Sequence, residues 1–415
     1  MRIIWGVFFA ATLLVFPAAA GAAATDRPNA LDRHVDSLSD SVLLAQPATQ
    51  LVDPARQRAA LRRAHWTLPG WFVILLCQSA ALFYLWSSGG AATLRDWLRR
   101  RIASAWMVRF AFGAALALVA RLASFLPAFY LYRVARTMQI DLELTRWWLV
   151  SWAVHTLLGM IVAGLIAAIV LGWVERTHQW YLYTIAAILA GCVIWAYAAP
   201  YVALPAARAV PLSGALAQQT HAVLARAGFP AVPVKVVHIR NSPVGDAAVL
   251  GIGSARTILL SDKLVDGSTP AELVYEVAVQ IAHVAHRDFL AIALIEGGIV
   301  IVFSAIAVVL ADRIRFRRDD DPLSRLAIVG ALLALVYIVA IPVRNGALRS
   351  YVFSADRSAV ALTGDPAAAV RALVRATDQH MEEVCPESSA ALFLYTDPGT
   401  GARVAAINHV PSGCP

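Results

Sequence analysis

Charged residues are scarce in this chain, and lysine is almost absent. Only 15% of the 415 residues are charged, against about 25% in ordinary soluble domains. Lys235 and Lys263 are the only lysines among 35 basic residues, while 59% of the sequence is hydrophobic. This composition excludes an ordinary soluble protein and predicts a chain that crosses a membrane several times.

Other missing features exclude further functional classes. The four cysteines form no Cys-x-x-Cys pair, so a thiolate metal site is not expected. No Walker loop and no Gly-x-Gly-x-x-Gly fingerprint occurs, which argues against a nucleotide-binding enzyme. The net charge of +8 comes from arginines spread along the chain rather than from one basic face with interleaved aromatics. We therefore predict no nucleic-acid partner.

The N-terminal 24 residues have the pattern of a secretory signal peptide. Arg2 precedes the apolar run Ile3–Val15, and small residues follow at Ala18–Ala24. An uncleaved signal anchor is the alternative. Residues 25–67 are polar and predict an extramembrane N-terminal segment that is partly helical.

Six apolar stretches follow, each near the ~20 residues that a bilayer requires. They are Leu68–Trp86, Met107–Tyr130, Trp147–Val174, Tyr181–Val202, Phe289–Ala311 and Leu326–Val343. Four predicted spans thus lie in residues 68–203 and two in 289–344. The soluble insert 204–288 and the soluble stretch 345–415 are each too short to bury a good core alone, so we expect them to fold together.

The insert 204–288 contains a readable order of helices and strands. Ser213–Gly228 predicts an amphipathic helix that stops at glycine, and Val234–Ile239 predicts a strand. Ala247–Leu250 and Thr257–Leu260 flank a Gly-rich turn and predict a hairpin. Ser268–Glu272 then combines a hydroxyl cap, a proline and an acid, which predicts the start of a helix that continues toward the fifth span.

Several segments in this order carry a family resemblance. They are Ala225–Val237, Gly251–Leu264, Thr269–Leu273, His283–Asp288, Ser354–Gly364 and Leu394–Ile407. Together they resemble the integral-membrane zinc metallopeptidases of the CAAX prenyl protease 1 and HtpX type. The resemblance covers residues 70–410. It implies a mainly α, polytopic membrane protein in which about six transmembrane helices carry a small α+β, gluzincin-type domain assembled from two soluble segments.

The resemblance also locates the positions at which such a peptidase would hold zinc. A zincin helix needs His-Glu-x-x-His, two imidazoles for the metal and a carboxylate to activate water. The resemblance puts Val279 at the first histidine, Gln280 at the glutamate and His283 at the second histidine. It puts Val352 at the third ligand and retains Asp356, the aspartate that orients a ligand in the family. Valine cannot bind zinc, and a neutral amide cannot take a proton from water.

Two further family positions are also replaced. Asp246 stands where the substrate strand carries asparagine, and Asp397 stands where the closing segment carries histidine. Zinc is therefore implied by the resemblance only, and we expect no cofactor.

A shifted metal site is one alternative. Glu276, Gln280 and His283 are spaced to share one face of a helix with Arg287, and His286 lies three residues beyond His283. Glu276, His283 and His286 would then bind a metal that Asp356 completes. The other interpretation is that both histidines are ordinary polar residues, hydrogen-bonded to Asp356 or Asp288.

Three functional hypotheses follow from these replacements. The first is a catalytically inactive pseudoprotease that binds membrane or unfolded protein partners, with membrane lipid around it. The second is an active metalloendopeptidase with a non-standard metal site. The third is a transporter or structural membrane protein.

We expect the protein in a bacterial inner membrane, with its soluble domain in the periplasm. A cleaved signal peptide and six spans would put both soluble pieces outside, with Arg99–Arg101 facing the cytoplasm. Arg56–Arg63 and Arg133–Arg136 favour the opposite orientation. In an oxidising compartment, Cys385 and Cys414 could form a disulfide if their Cα atoms lie within about 7 Å.

Overall fold

The computed structural model describes residues 34–239, 242, 244–314 and 321–415. The predicted signal peptide lies outside the described residues. In chain order, the elements are α1 (Asp40–Ala45), α2 (Ala48–Leu51), α3 (Pro54–Ser87), α4 (Gly90–Arg101), α5 (Ala105–Ala123), α6 (Phe125–Thr137), α7 (Thr145–Arg176), α8 (Trp180–Ala206), β1 (Val210–Pro211), α9 (Gly214–Arg226), β2 (Val234–Val237), β3 (Ala247–Leu250), β4 (Thr257–Ser261), α10 (Asp262–Gly267), α11 (Pro270–Ala285), α12 (Asp288–Arg313), α13 (Pro322–Thr363), α14 (Pro366–His380), α15 (Ser388–Phe393) and α16 (Thr400–Asn408).

Six of the described helices are long and apolar enough to cross a bilayer. They are α3, α5, α7, α8, α12 and α13, and their most apolar windows have mean hydropathies from 1.5 to 2.7. Only 11% to 28% of each window is buried inside the protein, so most of these side chains face outward, as lipid-exposed residues do. The prediction of six membrane-spanning helices is confirmed.

The second predicted span, Met107–Tyr130, is not one straight helix. It consists of α5 and the first part of α6, which meet at Ser124. The Ser124 hydroxyl donates to the backbone carbonyl of Ala120 and accepts a hydrogen bond from the Gln78 amide. A serine bonded to the carbonyl four residues earlier competes with the helical hydrogen bonds and bends the helix there.

The N-terminal segment, residues 34–53, packs on the soluble domain. Val35, Leu43 and Leu51 are fully buried. Their neighbours in this cluster are Val370, Leu373, Val374, Val384 and Val404. Asp53 then caps α3 by accepting two backbone N–H bonds, and Pro54 occupies the first turn. The first span therefore belongs to a helix that begins at Pro54, well before the predicted Leu68.

The small sheet has the strand order β1-β2-β4-β3. β4 is its buried centre, parallel to β2 and antiparallel to β3. The pairs Ala247 with Leu260 and Leu250 with Thr257 establish the predicted hairpin. Among the described residues β3 pairs on one side only, and it packs against α11.

Helix α11 begins where the sequence predicts but ends earlier. Thr269 and Glu272 form a reciprocal capping box around Pro270. The helix ends at Ala285, and Arg287 has a left-handed backbone with φ of 59°. A non-glycine residue in this conformation interrupts the helix, so α12 starts anew at Asp288. The helix thus runs toward the fifth span but stops short of it, and the prediction that Arg287 shares a helical face with Glu276, Gln280 and His283 is wrong.

Helix α13 joins the membrane part to the soluble domain without a break. It crosses residue 344, the predicted end of the second membrane segment, and runs on to Thr363. Val352 and Asp356 therefore lie on the same continuous helix as the sixth span. Because the N-terminal segment, the insert and the C-terminal part pack together, all three lie at one end of the bundle, as an even number of spans requires.

Candidate functional site

The candidate site lies where α11 packs against α13. Val279 on α11 and Val352 on α13 are both buried. Val279 belongs to an apolar cluster with Ala278, Ala282 and Ala355. At two positions where the resemblance expects zinc ligands, the protein therefore has core packing. Gln280, at the position of the catalytic glutamate, is half-buried beside them.

Asp356 is fully engaged in a buried ion pair. Arg403, on α16, donates from Nη2 to Oδ1 and from Nε to Oδ2 of Asp356, each at 2.7 Å. The Tyr275 hydroxyl donates to Oδ1 at 2.9 Å. Both carboxylate oxygens are therefore occupied in the two-point geometry that arginine and carboxylate prefer. The aspartate that orients a metal ligand in the resembling family here holds a guanidinium and a phenol.

This environment shifts the pKa values of both partners of Asp356. Burial alone lowers the pKa of Arg403, but the Asp356 carboxylate outweighs it and raises that pKa well above its ordinary value. Burial raises the pKa of the Tyr275 hydroxyl well above its usual range, and the charge of Asp356 raises it further. Arg403 thus stays charged and Tyr275 stays protonated, so the arrangement persists across physiological pH.

The two histidines at the end of α11 have partners other than Asp356. His283 Nδ1 lies 2.8 Å from Oδ2 of the buried Asp288. His286 is more exposed, and its Nε2 lies 3.3 Å from the Ser358 hydroxyl. Since Asp288 starts α12, the bond from His283 also fastens the break between the two helices.

The residues present do not fit a zinc ion. Within the described part of the chain, no group of three or more histidine, cysteine, aspartate or glutamate side chains is placed to hold a metal. Asp356 is saturated by Arg403 and Tyr275. Glu276 lines a small cavity together with Gly245, which lies two residues before β3. The shifted site built on Glu276, His283, His286 and Asp356 is therefore not assembled.

An open strand edge borders the site. The Asp246 backbone N–H donates to the Ser261 hydroxyl at 2.8 Å, and the Asp246 carboxylate accepts from the Ala247 N–H at 2.9 Å. These bonds fix the start of β3 against β4. Among the described residues no strand pairs with the outer edge of β3, and an extended peptide can add to an edge of this kind.

A disulfide closes the C-terminal part of the domain. Cys385 and Cys414 are bonded, with Cα atoms 5.4 Å apart, inside the separation that permits a bridge. The enclosed chain contains α15 and α16, and therefore also Arg403. The bridge thus secures the helix that supplies the partner of Asp356.

Sequence reasoning missed Arg403 and Tyr275. A signal for Arg403 was present, because a buried aspartate requires a cationic partner. Arg403 is the only basic residue in Leu394–Ile407, the closing segment. Tyr275 lies one helical turn before Val279, on the same face of α11.

Comparisons with known proteins agree with this architecture. Residues 212–410 match the sequence model of Peptidase family M48. Protease HtpX homolog 1 of Streptomyces coelicolor is 28% identical over 233 residues, which cover 53% of this chain and 72% of that relative. The crystal structure of S. mikatae Ste24p is similar with a TM-score of 0.65 at 13% identity, covering 92% of this chain and 100% of that one. At this identity the structural likeness shows the fold alone, and it confirms the predicted fold class.

Proposed function

We propose that this chain, an integral-membrane protein of the M48 peptidase type, is a pseudoprotease that binds membrane or unfolded protein segments without hydrolysing them. The observation that carries the proposal is the ion pair of Asp356 with Arg403. The residue that would organise a metal ligand is committed to a buried guanidinium, and the ligand positions Val279 and Val352 are part of the packing.

Restoring catalysis would require more than supplying zinc. Metal-activated water is the nucleophile in this type of peptidase, and Gln280 has no carboxylate with which to accept its proton. If Asp356 turned toward a metal ligand, Arg403 would be buried without its partner. Breaking a buried ion pair in this way costs about 3–5 kcal/mol. The local energetics therefore oppose a metal site at this position.

Peptide binding is supported by what the site retains. Within the described part of the chain β3 pairs only with β4, and an extended segment can add to the other edge as a further strand. Main-chain pairing of this kind tolerates many sequences. A protein that uses it suits clients that share an unfolded conformation rather than one motif.

The proposal places the soluble domain in an oxidising compartment, the periplasm of a bacterium. The disulfide between Cys385 and Cys414 supports this, because such bonds are rare in reducing compartments. Arg99–Arg101 lie at the opposite end of the bundle from the soluble domain, and an arginine cluster there favours the cytoplasmic side. We give these features more weight than Arg56–Arg63 and Arg133–Arg136, which lie at the soluble end.

Metal analysis and peptide hydrolysis test the absence of catalysis. Protein purified in the presence of zinc should contain far less than one zinc per chain and should not cleave casein. The triple variant Val279→His, Gln280→Glu, Val352→Glu should bind more zinc, since it restores the family's ligand positions. One zinc per native chain together with chelator-sensitive cleavage would overturn the proposal and favour an active enzyme.

Crosslinking tests client binding separately. A photoreactive residue at Val249 on β3 should form adducts with an unfolded model protein such as reduced casein. The same residue at His221, exposed on α9 away from the sheet edge, should form few. Equal labelling at both positions would argue that the domain has no client-binding edge.

A further inference from the structure

A second polar site lies at the end of the bundle opposite the soluble domain. Here the end of α4, the start of α5, the end of α7 and the start of α13 enclose a cavity of about 260 Å³. We call it the basal cavity. Its charged residues are Arg99, Arg109, Glu175 and Asp321. Pockets for whole small molecules begin at about 300 Å³, so this volume suits a compact polar group.

The basal cavity carries two positive and two negative charges in two cross-helix pairs. Arg99 Nη2 lies 2.9 Å from Oδ2 of Asp321, which joins α4 to α13. Arg109 forms an ion pair with Glu175, which joins α5 to α7. The Arg109 side chain is largely buried, while Glu175 is exposed. The opening of the cavity therefore contains the guanidinium of Arg109, fixed by its ion pair, and the solvent-accessible carboxylate of Glu175.

The base of the cavity is apolar. Val108, Leu171 and Leu323 line it and belong to the buried cluster that holds this end of the bundle together. Beside it, Trp106 is exposed at the start of α5 and stacks on Phe110 with ring centroids 5.7 Å apart. Tryptophan at a helix end is typical of the membrane interface. The opening of the cavity thus lies at the level of lipid headgroups.

We propose that the basal cavity binds the headgroup of an amine-bearing phospholipid, with the phosphate at Arg109 and Arg99 and the ammonium at Glu175. Guanidinium groups bind phosphate oxygens through paired N–H donors, and a carboxylate binds an ammonium. The four lining charges, together with the Arg95–Asp96 pair that adjoins Asp321, sum to zero, so a zwitterionic headgroup keeps the site neutral. A purely anionic headgroup would leave an uncompensated negative charge near Glu175 and Asp321.

Native mass spectrometry of the full chain tests this inference. The protein is reconstituted in nanodiscs that contain equal amounts of phosphatidylethanolamine, phosphatidylcholine and phosphatidylglycerol. When it is released from them in the spectrometer, it should retain phosphatidylethanolamine in preference to the other two lipids. Arg109→Gln should lower the retained phosphatidylethanolamine at least fivefold. Arg100→Gln is the matched control. Arg100 is exposed and follows Arg99 on α4, but it does not line the cavity. It should retain wild-type binding.

The contrary outcomes are specific. Equal loss in both variants, or equal retention of all three lipids, would show nonspecific attraction to a basic surface and overturn the site. Preferential retention of phosphatidylglycerol would overturn the assignment of an amine-bearing headgroup. Inorganic phosphate at millimolar concentration should not displace the lipid, and displacement would identify a free-phosphate site instead. Thermal unfolding in lipid-free detergent measures the stability that Arg109→Gln loses with the α5–α7 ion pair, and lipid retention is compared at a temperature at which both variants are fully folded, which separates lost binding from lost folding.

Discussion

Two buried acid–arginine pairs organise helix α11, and they differ in what surrounds them. At its start, Glu272 is fully buried and accepts two hydrogen bonds from Arg375, which also reaches the exposed Asp36 of the N-terminal segment. Beside its middle, Asp356 and Arg403 are both buried, and the Tyr275 hydroxyl donates a further hydrogen bond to Asp356. The Glu272–Arg375 pair reaches solvent through Asp36 and connects α11, α14 and the N-terminal segment. The Asp356–Arg403 pair is buried on all sides, and we call it the enclosed pair.

The difference shows that a position at which the resemblance expects a metal-orienting residue can serve packing. At the start of α11, Glu272 caps the helix and binds Arg375 of α14. Near the middle of α11, Asp356, which the resemblance assigns to orienting a metal ligand, forms a salt bridge that holds α13 to α16. Val279 and Val352, the positions at which the resemblance expects zinc ligands, are buried in the packing beside it.

The largest expected effect comes from breaking the enclosed pair. Arg403→Met should lower the free energy of unfolding by about 3–5 kcal/mol, because Asp356 is left charged and buried. Arg375→Met should cost less, since Arg371 Nε lies 3.9 Å from Glu272 and can compensate in part. Thermal unfolding in detergent measures both, with exposed Arg357→Met on α13 as the control. Equal losses for Arg403→Met and Arg375→Met would contradict the distinction between the two pairs.

A double variant sharpens the same comparison. Arg403→Met combined with Asp356→Asn removes both charges, and it should recover much of the stability lost by Arg403→Met alone. If the double variant is no more stable than the single one, shape rather than charge holds α16 against α13.

The next effect concerns the bridge that secures the enclosed pair. Replacing Cys385 and Cys414 by serine opens a loop with a sequence separation of 29 residues. Stability should fall by about 3 kcal/mol in the chain-entropy account. Adding reductant should not change the stability of the serine variant, whereas the stability of the native protein should fall to nearly that of the variant. If maleimide labels both native cysteines fully without reductant, the bridge and its oxidising compartment are both refuted.

The local features of the fold were readable from the sequence, but its long-range pairs were not. The capping box at Thr269, the β3–β4 hairpin and the six spans follow from short patterns whose partners are near in sequence. Arg403 lies 47 residues from Asp356, and the contact depends on how α13 and α16 pack. The break at Arg287 was also invisible, because no glycine or proline marks it.

The replaced ligand positions came from resemblance rather than from pattern. Val279 and Val352 are unremarkable apolar residues in helices, and only the expected motif identifies them as substitutions. Their surroundings could not be predicted, because no sequence rule says which residues of α13 and α16 will pack beside α11.

The smallest expected effect on stability comes from Asp378, where the N-terminal segment contacts α14. The backbone N–H of Asp53 donates to both carboxylate oxygens of Asp378 at 3.1 and 3.2 Å. Burial raises the pKa of Asp378 to about 6, above the value of about 3.9 in an unfolded chain. The folded state therefore holds the proton more tightly, and its stability falls as pH rises between these two values.

Lowering the pH from 7 to 5 should thus stabilise the fold by about 1 kcal/mol through this group. Burial also raises the pKa of Glu383, to about 7, so the total pH response contains more than one carboxyl. The difference between native protein and Asp378→Asn isolates the contribution of Asp378, because the amide oxygen can still accept from Asp53 but does not titrate. Thermal unfolding of both proteins at pH 5, 6 and 7 measures it. A native-minus-variant difference that stays constant over this range would show that Asp378 is already ionised in the fold and that the N-terminal segment docks independently of its proton.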